Sequence, residues 1–359
     1  MSEYVTRLKS FLEDRGEPSE FTALTADAST REYYRIEWNG RSAVACVYPE
    51  SFVPAEQTFI DATKLFLAAH LPVAEIYDLD GPMGVIVQED LGDTVLRDVL
   101  LEAPKERSQR LLNEAISLIA RIQTATSMAF EMGSIASQLK FDKEKLLWEL
   151  NFFKTHYFET YLAMPLSESV NDAVTAEFEE LAGDLEDCAV VLCHRDFHAA
   201  NLMLDSTGKM RIIDHQDARI GSPAYDLVSL LLDRITEPPS PEWLADRRRY
   251  FLDVRRTLGM PKIDEDDFAY EFRLQTIQRC LKAVGTFSYQ SAVRGKTYFI
   301  PFIRPMFRIV DRAIGNVDRF PHLRTLIEAE LARAESVAAS GLTEARAAIT
   351  QMRHNGVRE

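Results

Sequence analysis

The feature that most restricts the fold of this chain is a single change in hydrophobic rhythm near residue 90. Before it, apolar residues come in short strand-like runs: YYRIEW at 33–38, AVACVY at 43–48, Val73–Tyr77 and Gly84–Gln88. Trp38-Asn39-Gly40-Arg41 joins the first two runs, and Asn-Gly supplies the positive-φ pair that a two-residue hairpin needs. Two helical stretches accompany them. Residues 4–15 place Val5, Leu8, Phe11 and Leu12 at helical spacing, and 54–69 place Phe59, Ala62 and Phe66 on one face. After Leu91 helical spacing takes over, at 94–101, 107–126, 142–163, 169–185, 222–234, 241–258, 264–290, 301–315, 322–339 and 342–354. One interruption is strand-like: Ala189–Cys193, then Leu202–Leu204 and Met210–Ile213 around the turn Asp205-Ser206-Thr207-Gly208-Lys209. The pattern predicts an α+β protein of two lobes. Residues 1–89 form a small β-rich N-lobe, residues 90–359 a larger, mainly helical C-lobe, and a ligand cleft is expected between them.

Composition removes whole classes of function. The 359 residues carry Lys plus Arg 41 against Asp plus Glu 56, a formal charge of −15, with no dense basic run. Such a surface repels a nucleic-acid backbone. No stretch approaches the roughly 20 apolar residues that cross a bilayer. The N-terminus, MSEYVTRLKSFLEDRGE, is charged and amphipathic and has no apolar core before a cleavage site. The expectation is a cytoplasmic protein, a monomer or weak homodimer, acting on a small molecule without nucleic acid or membrane. Cys46, Cys188, Cys193 and Cys280 form no CxxC, so they read as small buried hydrophobes and not as a zinc or disulfide framework.

The chemistry concentrates in His194-Arg195-Asp196-Phe197-His198-Ala199-Ala200-Asn201, which fits H-R-D-x-x-x-x-N, and in Ile212-Ile213-Asp214, whose aspartate stands 18 residues after Asp196. This is the spacing of a kinase catalytic loop and its metal-binding aspartate. Phosphoryl transfer needs a carboxylate that orients the attacking hydroxyl and takes its proton, and hard oxygen ligands for Mg²⁺. Asp196 suits the first task, Asn201 and Asp214 the second. A hairpin over 202–213 would set Asn201 beside Asp214. His194 reads as packing beneath the loop.

With these motifs the sequence resembles the aminoglycoside phosphotransferase and choline kinase superfamily. Within it, the chain is most similar to bacterial anomeric sugar kinases that phosphorylate N-acetylmuramate and N-acetylglucosamine. The resemblance is carried by DASTREYYR (27–35), QEDLGD (88–93), HRDFHAANLM, IIDHQDARIGSPAYDLVSLLLD and QRCLKAVGTFSYQSAVRGKTYF (278–299), and so extends from about 25 to 300. It implies a protein-kinase-like fold, ATP and Mg²⁺ as cofactors, and an amino-sugar hydroxyl as acceptor in cell-wall recycling. Aminoglycoside or choline-type transfer, and a non-catalytic pseudokinase that only binds, are the alternatives.

The resemblance also implies roles by position. The loop 27–31 would cover the phosphates; with no glycine between 17 and 39, the side chains of Ser29, Thr30 and Arg31 would have to help. Glu89 to Leu91 would be the hinge that meets adenine. Asp93 would touch ribose or substrate, or cap the helix that follows. Asp217 is either a second metal-side carboxylate or a substrate acceptor. On the substrate side, Glu149, Asn151 and His156 are candidates. Arg279 and Lys282 share a helix face and would either hold an anionic group or form a solvated basic edge. Trp148, Phe152, Phe153 and Tyr157 could stack on a sugar ring or pack in the core.

One departure stands out. Such kinases place a lysine on the third strand, paired with a helix glutamate. Here the strand reads Ala43-Val44-Ala45-Cys46-Val47-Tyr48, and Lys64 is the only lysine between residues 10 and 104. Arg31 or Arg35 is placed to substitute, and Glu56 is the helix carboxylate expected to pair, with no lysine to meet it.

Overall fold

The computed structural model describes residues 2–24 and 30–333. Ser29 and the rest of loop 27–29, the helix expected at 342–354, and the end of that expected at 322–339 lie outside the described residues. The chain divides into two compact units. The first combines Met1–Lys140, Ala189–Leu231 and Arg247–Ile263; the second holds Phe141–Cys188, Leu232–Asp246 and the residues from Asp264 onward. The first unit thus contains both the β-rich segment and the HRD motif. The lobes expected at 1–89 and 90–359 divide the chain by hydrophobic rhythm and are a different partition from these two units.

In the first unit, strands β1 (Phe21–Leu24), β2 (Glu32–Trp38), β3 (Arg41–Val47), β4 (Ile76–Asp80) and β5 (Val85–Glu89) form one antiparallel sheet of order β1-β2-β3-β5-β4. The β2–β3 turn is as the sequence predicts. Trp38 faces Arg41, and Asn39 and Gly40 take φ of 50° and 73°. Alternation along β2 and β3 then separates two faces. Tyr34, Ile36, Trp38, Ala45 and Val47 pack on Leu8, Phe11 and Leu12 of helix α1 (Glu3–Arg15). Each such fully buried large side chain contributes about 1.5–3 kcal/mol. On the other face, Phe59 and Ile60 of helix α2 (Thr58–Ala68) cluster with Ile86.

The structure corrects three readings here. The helix expected over 54–69 starts only at Thr58. Pro54–Glu56 form a separate 3₁₀ turn, because Gln57 is extended and caps α2 by accepting from the Phe59 N–H. Glu56 is therefore exposed and outside the helix. The strand expected at 73–77 lies at Ile76–Asp80, since Val73 bridges in parallel to Ile212 instead. Two short strands carry no readable alternation: β1, and β9 (Arg219–Gly221), which pairs with β6 (Val191–Cys193). The hairpin β7 (Leu202–Leu204) and β8 (Met210–Ile212) forms where its turn residues place it.

The second unit is helical. The single helix expected over 142–163 is an α-helix, Lys143–Phe153, that widens into a π-helix at Lys154–Tyr161. It lies against the long helix Glu265–Ala292. A Cβ on Gly285 would stand 2.8 Å from the Phe153 Cα, so the contact requires glycine there. Phe153 and Tyr157 are core residues of this packing, whereas Trp148 is exposed. Among the described residues no helix is long and apolar enough to cross a membrane.

Candidate active site

The site is built on the β7–β8 hairpin and the loop that enters it. Asp226, fully buried, accepts from the backbone N–H of His194 at 2.7 Å and of Arg195 at 3.0 Å. Those donors would otherwise be buried without partners, so one carboxylate fixes the start of the loop. His194, also fully buried, places Nε2 2.9 Å from the Ile213 carbonyl and thereby joins the two ends of the motif from beneath. Arg195 has φ of 85° and Asp214 φ of 62°. Aspartate tolerates the left-handed region, but arginine at positive φ is strained by about 1–3 kcal/mol, and the Asp226 clamp is what maintains it.

Pairing of Leu202 with Ile212 sets Asn201 beside Asp214. The Ile213 N–H donates to the Asn201 carbonyl at 3.1 Å. Asn201 Nδ2 donates to the Asp196 carbonyl at 3.0 Å and to Asp214 Oδ2 at 3.2 Å, which leaves the amide oxygen for another partner. Gln216 donates to Asp214 Oδ1 at 2.8 Å. Asn201 and Asp214 thus meet side chain to side chain, Asn201 also reaches the Asp196 backbone, and the Asp196 and Asp214 side chains are 26% and 43% exposed. An amide oxygen next to a carboxylate is a hard donor pair. Mg²⁺ is commonly held by one or two carboxylates, with waters and substrate phosphates completing its shell. The residues fit such an ion, and among the described residues no group of three or more His, Cys, Asp and Glu side chains is placed to hold a metal.

The hairpin is tied to the end of β5. Arg211 on β8 binds Glu89 through both carboxylate oxygens, at 2.9 and 2.5 Å, the Val73 carbonyl at 2.9 Å and Asp205 at 3.4 Å. The Leu204 N–H donates to the Thr94 carbonyl and the Ile212 N–H to the Pro72 carbonyl. Glu89 spends its own N–H on the Glu75 carbonyl, and Leu91, in the segment after it, is 6% exposed. Asp205 organises the hairpin turn by accepting from Thr207 Oγ1 and from the N–H groups of Thr207 and Lys209. The Thr207 hydroxyl bond, aided by these backbone donors, lowers its pKa to about 2.

The two candidate cations separate. Arg31 places Nη2 4.0 Å from Asp214 Oδ1 and donates from Nη1 to the Tyr48 hydroxyl at 3.4 Å. Arg35 instead binds Asp90 at 2.7 Å and Asp93 at 2.8 Å. Burial alone would raise the Asp90 pKa, but hydrogen bonds from Arg35, Ser42 and the Gly92 N–H outweigh it and hold the carboxyl below its ordinary value. Asp93 therefore pairs with Arg35 and caps nothing, for the helix after it starts at Leu96 without a side-chain cap. Thr30 is exposed, and its carbonyl accepts from the Tyr4 hydroxyl at 3.2 Å.

Asp217 lies beside the loop, 2.7 Å from Arg195 Nη1 and 3.7 Å from Arg219 Nη2, with its side chain 45% exposed. In the second unit, Glu149 is fully buried. It accepts from Gln278 Nε2 at 2.8 Å and lies 3.7 Å from Lys145 Nζ. Arg279 is buried and Lys282 half-buried on the long helix that carries Gln278. His156 and Phe152, half-buried with ring centroids 4.0 Å apart, pack beside the exposed Trp148.

Sequence reasoning missed His215. Next to Asp214, it is buried, hydrogen-bonded to Thr63 Oγ1 at 2.7 Å and stacked on Phe66 at 5.2 Å, so α2 bears directly on the hairpin end. Burial, reinforced by His194, lowers its pKa to about 3, and the ring is neutral. The signal was available in the apolar α2 face, but not the identity of its partner.

Comparison with known proteins agrees with this architecture. The chain is 29% identical over 301 residues to an N-acetylmuramate/N-acetylglucosamine kinase of Neisseria meningitidis, covering 83% of this chain and 87% of that one. It is 28% identical to a protein of the same name from Pseudomonas aeruginosa, covering 87% and 88%. Among solved structures, the choline kinase LicA of Streptococcus pneumoniae matches with a TM-score of 0.55 at 14% identity, covering 87% of this chain and 100% of that one. A thermostable mutant of the aminoglycoside phosphotransferase APH(4)-Ia matches at 0.50 and 18%, covering 85% and 98%. The profile of the phosphotransferase enzyme family matches residues 20–264, which include the whole hairpin and its braces, and the chain belongs to that family.

Proposed function

We propose that this phosphotransferase moves the γ-phosphate of ATP to a hydroxyl of an amino sugar, the anomeric hydroxyl of N-acetylmuramate or N-acetylglucosamine in cell-wall recycling. The observation that supports the reading is the Asn201–Asp214 pair, with Asn201 bonded to the backbone of Asp196, in a chain whose curated relatives bear that sugar-kinase name. Asp196 accepts the proton of the attacking hydroxyl as its oxygen bonds to the γ-phosphorus and the bond to ADP breaks. Asn201 and Asp214 would hold Mg²⁺, which neutralises triphosphate charge when bound. Arg31, with Ser29 and Thr30, meets the phosphates, and the backbone of Glu89 to Leu91 meets adenine. In this reading residues 1–89 are the nucleotide lobe and 90–359 the catalytic and acceptor lobe. Asp217, Arg279 and Lys282 serve the acceptor. Glu149, fully buried, acts through Gln278.

A second reading, transfer to an aminoglycoside or choline, is favoured by the charge of −15, which attracts cationic acceptors. The missing β3 lysine is the one feature that favours a non-catalytic binder. Incubation with Mg-ATP and N-acetylglucosamine, N-acetylmuramate, kanamycin or choline separates the three by ADP release. ADP is expected with the amino sugars, together with a sugar 1-phosphate visible by phosphorus NMR. Release with kanamycin or choline alone would overturn the sugar assignment. Absence of both turnover and nucleotide binding would favour the binder.

A further inference from the structure

β3 carries no lysine, and on its face opposite the α1 core stands Cys46, which is 4% exposed and whose thiol burial pushes up to about 12. It is neutral and offers the phosphates nothing. Its surroundings are unusual. Tyr33 lies opposite Cys46 in the β2–β3 register, and Tyr48 follows two residues on, so both rings share the Cys46 face, opposite the α1 core. The Arg31 guanidinium reaches over this face. Its carbon is 5.8 Å from the Tyr33 ring centroid and 5.5 Å from that of Tyr48, and its Nη1 donates to the Tyr48 hydroxyl. The Tyr48 ring rests edge-on against Phe52 at 5.0 Å, and its carbonyl accepts from Arg7 at 2.5 Å. Helix α2 contributes no carboxylate to this group. Asp61 accepts from Ser134 Oγ and the Ile135 N–H, and Glu56 lies outside the helix.

We propose that Tyr33 and Tyr48 are positioning residues that clamp the Arg31 guanidinium over the Cys46 position, doing with two aromatic faces what a strand lysine paired to a helix glutamate does elsewhere. The clamp rests on the nucleotide reading above and goes beyond it. An ion pair fixes a lysine through a countercharge. The two rings hold the guanidinium by cation–π attraction, with one N–H on the Tyr48 hydroxyl, and Nη2 lies 4.0 Å from Asp214 Oδ1.

The test is Mg-ADP binding to the full-length protein by calorimetry, which needs no acceptor, followed by steady-state kinetics. Tyr48→Leu should weaken Mg-ADP about tenfold and raise KM for ATP similarly, with KM for the acceptor unchanged. Tyr48→Phe, which keeps the ring, should stay within about threefold of the parent; Tyr33→Leu and Tyr33→Phe should follow the same pattern. In an Arg31→Ala background Tyr48→Leu should cost nothing further, since the clamp then has nothing to hold. Circular dichroism confirms that each variant is folded; Tyr48→Phe and the double variant carry the test if Tyr48→Leu is not. Unchanged Mg-ADP affinity in Tyr48→Leu, a Tyr48→Phe loss as large as the leucine loss, or additive losses with Arg31→Ala would overturn the clamp alone. A parent protein that binds no Mg-ADP would overturn the nucleotide reading and the clamp with it.

Discussion

Two hairpins of the first unit carry the proposed phosphate chemistry, and they differ in how much freedom that chemistry leaves. On β7–β8 and its entry loop, Asp196, Asn201 and Asp214 occupy the positions of a kinase motif, braced by Asp226 and by the backbone of Ile213. On β2–β3 the expected lysine is absent, and a guanidinium from the strand's N-terminal end reaches the same neighbourhood, 4.0 Å from Asp214. The contrast follows from the physics of each task. Accepting a proton and ligating a hard cation need oxygen atoms at fixed vectors, which one short hairpin supplies through its register. Attracting a triphosphate needs positive charge in a region, and a long side chain from several backbone positions can deliver it.

If that contrast is right, substitution at the first hairpin should be the more damaging. Asp196→Asn keeps shape and removes the proton acceptor, so turnover should fall about 10³-fold while Mg-ADP affinity stays within a factor of a few. Normal turnover would end the catalytic assignment, and lost nucleotide binding would move Asp196 to the metal.

At the second hairpin the effect should be smaller and should discriminate two arginines. Arg31→Ala should raise KM for ATP about tenfold or more, with kcat affected less. Arg35→Ala releases Asp90 and Asp93 but takes no charge from the neighbourhood of Asp214, so its KM should shift only about twofold to threefold. The reverse ranking would give the phosphate role to Arg35 and break the comparison.

What could be read in advance divides along the same line. Asn39-Gly40 announces its hairpin because few other residue pairs adopt two positive φ values. DSTGK announces another because its aspartate closes the turn on its own backbone. These signals are local. The unread features depend on partners far along the chain: Arg211 with Glu89, His215 with Thr63, Arg35 with Asp93. The π-helical widening at Lys154–Tyr161 also escaped, since apolar spacing over eight residues barely separates the two helical periods. The choice between Arg31 and Arg35 is open for the same reason: one just before β2 and one on it, they share its alternation and are equivalent until their neighbours are known.

The smallest expected effect tests whether the turn of the first hairpin is loaded as its hydrogen bonds indicate. Asp205 should titrate near pH 2, and Thr207→Ala, which removes its largest stabiliser, should move the midpoint up toward the ordinary 3.8. The sign is that of a depressed carboxylate. Its contribution to folding is full above pH 3.8 and is lost as pH falls through about 2, so the variant should begin to lose that contribution at higher pH. Carbon-detected carboxyl titration reads the midpoint directly, and turnover near neutral pH should change less than twofold. If the midpoint in Thr207→Ala stays near 2, the backbone donors from Thr207 and Lys209, with Arg211, suffice to hold Asp205. The turn that sets Asn201 beside Asp214 would then hold without its threonine hydroxyl, which would sharpen the contrast with a second hairpin whose cation is held by side chains.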